Sequence, residues 1–176
     1  MESTLVLIKP DGLKKSLTGN IISKLSETKL TIIAAKIVKV SRELGELHYE
    51  NLKEEQIGKK GKEKGTQIFE NTLKYIQGEF HTDRVLAMVY GGENAIEKIR
   101  ELAGSTNPEK ADSISIRGKY GRIHSETQVF ENVIHCSDSK ENAEREIKLW
   151  FDPDEIYGDL YSTKQKEEKV NKKIWE

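Results

Sequence analysis

Cysteine is almost missing from this chain, since Cys136 is the only one among its 176 residues. One cysteine excludes an internal disulfide and a four-cysteine metal site, and it fits a reducing compartment. The apolar run near the start, Leu5 to Ile8, is too short for the core of a signal peptide or for a membrane span. We therefore expect a cytoplasmic protein that does not enter a membrane.

An excess of either charge is also missing, because 29 Lys and Arg residues stand against 30 Asp and Glu residues, a formal net charge of −1. Dedicated nucleic-acid binders normally carry a clear basic excess, so this balance argues against nucleic acid as a partner. An anionic substrate would need a local cluster of cations. The chain has the length of one ordinary domain, so we expect residues 1–176 to form a single domain.

Short apolar segments predict four strands, at Thr4–Lys9, Leu30–Val40, Val85–Tyr90 and Val129–His135. Apolar residues at helical spacing lie between them and give the order β-α-β-α-α-β-α-loop-β-α. This order suits an α+β, ferredoxin-like βαββαβ sandwich, in which helices cover a four-stranded antiparallel sheet. Periodicity alone leaves a flavodoxin-like sheet as an alternative.

Three segments lack this periodicity. Residues 56–66 are almost entirely Gly and charged residues, and we predict an exposed, charged insertion in the form of a loop. Their glycines lack the spacing of a Walker A phosphate loop, so we interpret the lysines there as a solvated surface, with a weak contact to an anionic partner as the alternative. Thr106–Tyr120 is predicted to be an irregular loop, and residues 162–176 form a charged tail.

A histidine, His135, stands at the end of the fourth predicted strand, in the string N-V-I-H-C-S-D-S. Small polar residues follow it, and Ser139 is a candidate to begin a helix, so the side chain could point into a cleft. Because histidine is partly neutral near pH 7, His135 can act as a nucleophile without strong activation. The alternative is a packed histidine whose nitrogens are satisfied by the backbone.

This string, with the A-E-R-E-I-K-L-W-F that follows, closely resembles the active-site signature of nucleoside diphosphate kinases. The start, T-L-V-L-I-K-P-D-G, resembles the first strand of that family, and S-T-N-P and S-I-R-G resemble its nucleotide-binding loop. The four matches occur in the family's order and span most of the chain. The resemblance implies transfer of the terminal phosphate of a nucleoside triphosphate, typically ATP, to a nucleoside diphosphate by a ping-pong mechanism.

The resemblance also assigns roles to residues of this chain. It implies that His135 takes up the phosphate, that Glu146 orients its imidazole, and that Ser137 supports Glu146. Phosphoryl transfer needs cations and hydrogen-bond donors fixed around the moving charge. The positions that match the family's nucleotide-binding residues are Lys9, Tyr49, Arg100, Thr106, Arg117 and Asn132. Mg²⁺ is implied as the cofactor, carried by the nucleotide phosphates and not by protein side chains alone.

The sequence departs from the family pattern in three places. Cys136 follows the histidine where Gly or Ala is usual; we interpret it as a small structural replacement, with an oxidation-sensitive brake as the alternative. At the base-binding edge Ile68 takes the place of a stacking phenylalanine, and Phe69 lies beside it, so both are candidate base contacts. The stretch over residues 119–131 is longer than usual and is predicted to form a hairpin over the site.

Two other functions compete with this one. A non-catalytic protein that binds nucleotides or nucleic acid on the same scaffold would be expected to lose the nucleophile or the phosphate-binding residues, and this sequence keeps both. A histidine phosphatase or phosphocarrier would share His135 without explaining S-T-N-P and S-I-R-G together. The resemblance further implies a homo-oligomer, either a hexamer or a tetramer.

Overall fold

The computed structural model describes residues 1–167, so most of the predicted tail, from residue 168 on, lies outside the described residues. The strands are β1 (Glu2–Ile8), β2 (Thr31–Val38), β3 (Val85–Gly92), β4 (Arg122–Ile123), β5 (Phe130–Glu131) and β6 (Ile134–Cys136). The helices are α1 (Pro10–Lys14), α2 (Thr18–Ser26), α3 (Arg42–His48), α4 (Leu52–Lys60), α5 (Lys62–Gln77), α6 (Ala95–Ala103), α7 (Ile116–Tyr120) and α8 (Lys140–Trp150). None of the helices in residues 1–167 has the length and apolar character needed to span a bilayer.

Four of the strands form one sheet in the order β2-β3-β1-β6, and every neighbouring pair in it is antiparallel. This arrangement confirms the α+β, ferredoxin-like prediction and excludes the flavodoxin-like alternative, whose strands are parallel. Leu7 of β1 lies opposite His135 of β6. The end of β1, which leads into Lys9, therefore lies beside the strand that carries the predicted nucleophile.

Alternation along β1 divides the core between the two faces of the sheet. Leu5 and Leu7 pack in a cluster with side chains of α8, whereas Val6 and Ile8 pack in the opposite cluster with side chains of α2 and α6. All four residues are fully buried, which explains why β1 has a continuous apolar run instead of alternating polar and apolar residues. The residues at the end of β1 are thus attached to a fully buried strand.

The segment 56–66 is helical, so the predicted loop is wrong, although most of the segment is exposed as expected. Gly61 turns the chain between α4 and α5 with a φ of +83°. Gly65 lets the two helices approach, because a Cβ there would lie 2.5 Å from the backbone nitrogen of Ile57. Lys and Glu favour helices, and the glycines that suggested a loop serve a turn and a close contact.

The predicted strand Val129–His135 is also wrong in its middle, because Val133 has a φ of +57° and separates β5 from β6. β5 pairs with β4 in a two-stranded hairpin, so the longer stretch over residues 119–131 does form a hairpin. This hairpin leads directly into Asn132. A positive φ at a β-branched residue cannot be read from an apolar run, which is why the sequence suggested one continuous strand.

The stretch Thr106–Tyr120 is only partly irregular, because it contains a 3₁₀ turn and the five-residue α7. A helix this short has too few turns for apolar periodicity to reveal it. The predicted helix start at Ser139 is confirmed, because its hydroxyl accepts a hydrogen bond from the backbone N–H of Asn142.

Candidate active site

Three backbone elements converge at one end of the sheet and carry the predicted nucleophile and two of the predicted nucleotide-binding residues. Lys9 follows β1, His135 lies within β6, and Arg117 lies in α7. The backbone nitrogen of Lys9 donates to the Val133 oxygen at 2.9 Å, which ties the end of β1 to the turn before β6. Residues far apart in the sequence therefore meet in one place.

His135 is held through one of its two ring nitrogens. Its Nε2 lies 2.9 Å from Oε2 of Glu146, and the Ser137 hydroxyl donates to the same oxygen at 2.6 Å. Burial raises the pKa of the Glu146 carboxyl, but His135 and Ser137 together hold that pKa below its ordinary value. An ionised Glu146 accepts a hydrogen bond from a protonated Nε2, and the lone pair of the neutral imidazole is then on Nδ1. The structure thus brings together the three residues predicted for the catalytic step.

Two buried cations flank the histidine. Arg117 donates to the Ile134 oxygen at 3.3 and 3.2 Å and lies 3.9 Å from Sγ of Cys136, so its guanidinium reaches both chain neighbours of His135. Burial and then the charge of Arg117 lower the pKa of Lys9 to about 8. Burial likewise lowers the pKa of Arg117. Holding two like charges together in a dry site is unfavourable without an anion, so this pair indicates an anion-binding site.

Asn132 links these cations to the loop after α6. Its Oδ1 accepts from Nζ of Lys9 at 2.9 Å, and its Nδ2 donates to the backbone oxygen of Thr106 at 2.8 Å. The side chains of Thr106 and Arg100 are exposed. Arg100 also lines a surface cavity of about 740 Å³ together with Asp138. Both of these predicted nucleotide-binding residues therefore lie at the outer edge of the site.

The rings of His48, Tyr49 and Trp150 form a cluster beside His135. Two buried polar atoms of this cluster have no hydrogen-bond partner in residues 1–167, the Tyr49 hydroxyl and Nε2 of His48. Burial raises the pKa of Tyr49, so its hydroxyl remains a donor. Burial, followed by the charge of His135, lowers the pKa of His48, and Nε1 of Trp150 donates to its Nδ1 at 3.2 Å. Unpartnered buried donors are costly, so both atoms point to a ligand that accepts hydrogen bonds.

His48 was missed by the sequence reasoning. Its ring meets the ring of His135 edge-on, with the centroids 4.4 Å apart. His48, His135 and Glu146 are the group of possible metal ligands found within the described part of the chain, with ligand atoms within 4.8 Å of one another. Oε2 of Glu146 is already hydrogen-bonded to His135 and Ser137, and Nδ1 of His48 accepts from Trp150, so these atoms have partners without an ion.

The two candidate base contacts lie in α5 and differ in exposure. Phe69 is 5% exposed, and Nζ of Lys53 lies 5.7 Å from its ring centroid, so the ring has no open face for a base in this conformation. Ile68 is half-buried. The cysteine next to the predicted nucleophile, Cys136, is 4% exposed, and burial raises the pKa of its thiol. A protonated, buried thiol fits the structural interpretation of that residue.

Asp11 was also missed, because P-D-G is a string typical of turns. Pro10 instead begins α1, where its missing N–H costs nothing, and Asp11 lies in the first helical turn with no exposed surface. A signal was present, since a carboxylate beside a glycine in the first turn of a helix is often a hydrogen-bond acceptor. Its partners could not be named from the sequence, because they come from α5 and from the turn before β6.

Comparison with known proteins agrees with this geometry. The family model for nucleoside diphosphate kinase matches residues 2–156. Nucleoside diphosphate kinases from Pyrococcus furiosus and Listeria monocytogenes are 42% and 41% identical over 157 and 156 residues, which is 89% of this chain and 87% and 92% of the relatives.

Solved structures give the same result. A transition-state mimic of nucleoside-diphosphate kinase from Borrelia burgdorferi, with bound vanadate and ADP, has a TM-score of 0.75 at 29% identity and covers 92% of both chains. An NDP kinase from Pyrobaculum aerophilum has a TM-score of 0.77 at 33% identity, covering 89% of this chain and 99% of that one. The chain therefore belongs to the nucleoside diphosphate kinase family.

Proposed function

We propose that this chain transfers the terminal phosphate of a nucleoside triphosphate, typically ATP, to a nucleoside diphosphate through a phosphohistidine on His135. The observation that carries the proposal is the contact of its Nε2 with the buried Glu146, beside the buried cations Lys9 and Arg117. The vanadate and ADP bound to the Borrelia burgdorferi relative support the same chemistry.

In the first half-reaction, Nδ1 of His135 attacks the terminal phosphorus of the triphosphate. An N–P bond forms while the P–O bond to the leaving diphosphate breaks, and the electron pair of that bond stays on the diphosphate oxygen. The imidazole gains positive charge, which ionised Glu146 stabilises through the Nε2 proton. In the second half-reaction, a terminal phosphate oxygen of the acceptor attacks the phosphorus, and the N–P electron pair returns to Nδ1.

The phosphate groups are assigned to the buried cations. Lys9 and Arg117 neutralise the charge on the transferred group, and Asn132 fixes the Lys9 ammonium while holding the Thr106 backbone. The unpartnered hydroxyl of Tyr49 donates to a phosphate or sugar oxygen. From the outer edge, Arg100 and the Thr106 hydroxyl contact the nucleotide.

Mg²⁺ is the proposed cofactor and would be held by the nucleotide phosphates and by water. The donor set around His135 fits this arrangement, because Lys9 and Arg117 are cations and the carboxylates of Glu146 and Asp11 already accept hydrogen bonds. When bound, the ion supplies positive charge against the phosphate oxygens.

Base recognition is proposed to be permissive. The candidate contacts are Ile68 and Phe69, and an aliphatic Ile68 would pack against a base without the aromatic stacking that strengthens such contacts. The contact between Lys53 and the Phe69 ring would have to open before Phe69 could bind a base. Selectivity among bases is therefore expected to be low.

A homo-oligomer, either a hexamer or a tetramer, and a cytoplasmic location belong to the same proposal. Apolar side chains exposed on the single chain support self-association: Ile32 and Ile37 on the edge strand β2 are 42% and 59% exposed, and Ile114 is 76% exposed. Sedimentation equilibrium of the purified protein would give the number of subunits.

The experiment that tests the proposed function is phosphoprotein formation. The protein is incubated with γ-labelled ATP and Mg²⁺ without acceptor, and GDP is then added. We expect an acid-labile, alkali-stable label that passes to GDP, and no label on His135→Ala. The control is His124→Ala, which changes a histidine of the β4–β5 hairpin and should label normally.

The competing function, a non-catalytic nucleotide binder, predicts a different result. Wild-type protein would bind ATP in calorimetry and remain unlabelled. Label that persists on His135→Ala would also contradict the assignment, because it would place the phosphate on another residue.

A further inference from the structure

Asp11 is a fully buried carboxylate outside the residues assigned to the reaction. Its Oδ1 accepts from the Tyr75 hydroxyl at 2.5 Å, and its Oδ2 accepts from the backbone nitrogen of Val133 at 3.2 Å. Tyr75 is 1% exposed, and burial followed by Asp11 raises its pKa, so the hydroxyl stays a donor. The carboxylate therefore joins α5 to the turn that precedes His135.

That turn is strained. Val133 is β-branched and has a φ of +57°, and the nitrogen of Ile134 donates to the oxygen of Asn132 at 2.7 Å across it. A conformation of this kind is unfavourable for a β-branched residue and persists only where its surroundings fix it. Val133 is itself fully buried, so without Asp11 its N–H would lose its hydrogen-bond partner.

The residue before Asn132 is anchored from the same helix end. Glu131 is 2% exposed and lies 2.9 Å from Nε2 of His81, while Nε of Arg122 donates to its other oxygen at 2.5 Å. His81 follows α5 closely, and its ring meets the ring of Tyr75 at a centroid distance of 5.9 Å. The strained turn is thus fixed on both sides of Asn132, and each side has one carboxylate.

Resting on the site roles proposed above, we propose that Asp11 is a positioning residue for phosphoryl transfer. The Tyr75 hydroxyl holds Asp11, and Asp11 fixes the strained turn at Val133. This turn positions Asn132 to accept from Lys9 and positions His135 next to both residues. The close packing of α1 supports this role, because a Cβ on Gly12 would lie only 3.0 Å from the Val133 oxygen.

Asp11 also contributes charge. The groups that face the Lys9 ammonium are Arg117 of α7, Asp11 of α1, Cys136 of β6, the Tyr75 ring 5.5 Å away on α5 and His48 of α3. Burial and Arg117 lower the pKa of Lys9, while Asp11 raises it. Loss of the Asp11 charge should therefore make Lys9 release its proton at a lower pH.

The first test compares two buried tyrosines. Tyr75→Phe removes the hydroxyl that holds Asp11, whereas Tyr90→Phe removes a buried hydroxyl that has no partner within residues 1–167. Since small displacements of reacting groups cost much rate, Tyr75→Phe should lower kcat about tenfold with most of the thermal stability retained. Tyr90→Phe should leave kcat unchanged. Equal kcat in the two variants, or a loss in Tyr75→Phe that only follows the unfolded fraction, would overturn the proposal.

The second test uses Asp11→Asn, which removes the charge and keeps the shape. The alkaline limb of kcat/KM reports the free enzyme, so it should move to lower pH in Asp11→Asn and stay in place in Tyr75→Phe, which keeps the carboxylate. A residue that only supported the fold would not separate the two profiles, so coincident alkaline limbs would contradict the positioning role. If Asp11→Asn does not fold, the tyrosine pair decides alone.

His135→Ala, measured in the same series, separates this proposal from the proposed function. Activity that survives in His135→Ala would remove the proposed function itself. An inactive His135→Ala together with a fully active Tyr75→Phe would contradict only the positioning role of Asp11.

Discussion

The floor and the rim of the site are built differently. The floor, defined as Lys9, Arg117, His135 and Glu146, is buried or nearly so, and hydrogen bonds to neighbouring groups fix each side chain. The rim, defined as Ile68, Arg100 and Thr106, is exposed or half-exposed, and within residues 1–167 the polar side chains of Arg100 and Thr106 make no hydrogen bond. The groups assigned to phosphoryl transfer are thus preorganised, while those assigned to the rest of the nucleotide are not. This difference suits an enzyme that performs one reaction on many bases.

Neutralising a cation of the floor should cause the largest loss of kcat/KM. Lys9→Met should lower kcat/KM by on the order of 10²–10³, because a preorganised charge in a dry site is lost. Steady-state kinetics with ATP and GDP would measure it. Lys24→Met, which changes a half-exposed lysine of α2 paired with Glu27, should keep the wild-type rate. A loss of less than about fivefold in Lys9→Met would mean that the floor is not preorganised for phosphate.

Glu146→Gln should have the next largest effect. It keeps the size of the side chain and removes the charge that stabilises the imidazole, so we expect phosphorylation of His135 to slow by about 10². Quenched-flow measurement of the phosphoprotein would show it. Glu144→Gln, two residues away on the exposed face of α8 and paired with Lys148, is the matched control. Equal phosphorylation rates in both variants would contradict the role of Glu146 in stabilising the His135 imidazole.

The floor should also impose a pH limit. Burial and Arg117 lower the pKa of Lys9 to about 8, and the protonated form is the one proposed to bind phosphate, so kcat/KM should decline as pH rises through that value. Lys9→Arg should move this alkaline limb to higher pH, since a guanidinium keeps its charge. An alkaline limb that is unchanged in Lys9→Arg would assign the titration to another group.

At the rim, the effect should be small. Arg100→Ala removes an exposed cation whose field is screened by water, so we expect kcat/KM to fall roughly fivefold, mostly through KM. Added salt should lower the kcat/KM of the wild-type protein and reduce its difference from the kcat/KM of Arg100→Ala. A loss as large as that of Lys9→Met would erase the distinction between floor and rim.

Much of the floor could be predicted from the sequence. Lys9 and His135 lie at the ends of predicted apolar strands, and their strings resemble family motifs, so their place in the site followed once the strands were paired. Three strands of the sheet were predictable for the same reason: β1, β2 and β3 are short segments rich in apolar residues, and segments with helical spacing separate them.

What could not be predicted depends on single backbone angles and on partners from distant elements. Val133 has a left-handed conformation that no apolar run reveals, so β5 and β6 were taken as one strand. Residues 56–66 form two helices because Gly61 turns the chain and Gly65 lets the helices touch, yet glycine and charge in sequence suggest a loop. The hidden partners of Asp11 and His48 are in α5 and α8, beyond the reach of local patterns.

The measurement that tests the central claim most directly is the identity of the phosphorylated nitrogen. The protein is phosphorylated with ATP and Mg²⁺, and ³¹P NMR of the denatured phosphoprotein in alkali distinguishes the two phosphohistidine isomers. Because Glu146 holds Nε2 of His135, we expect phosphate on Nδ1. Phosphate on Nε2 would contradict it, since the Glu146 contact would then have to break before the reaction could begin.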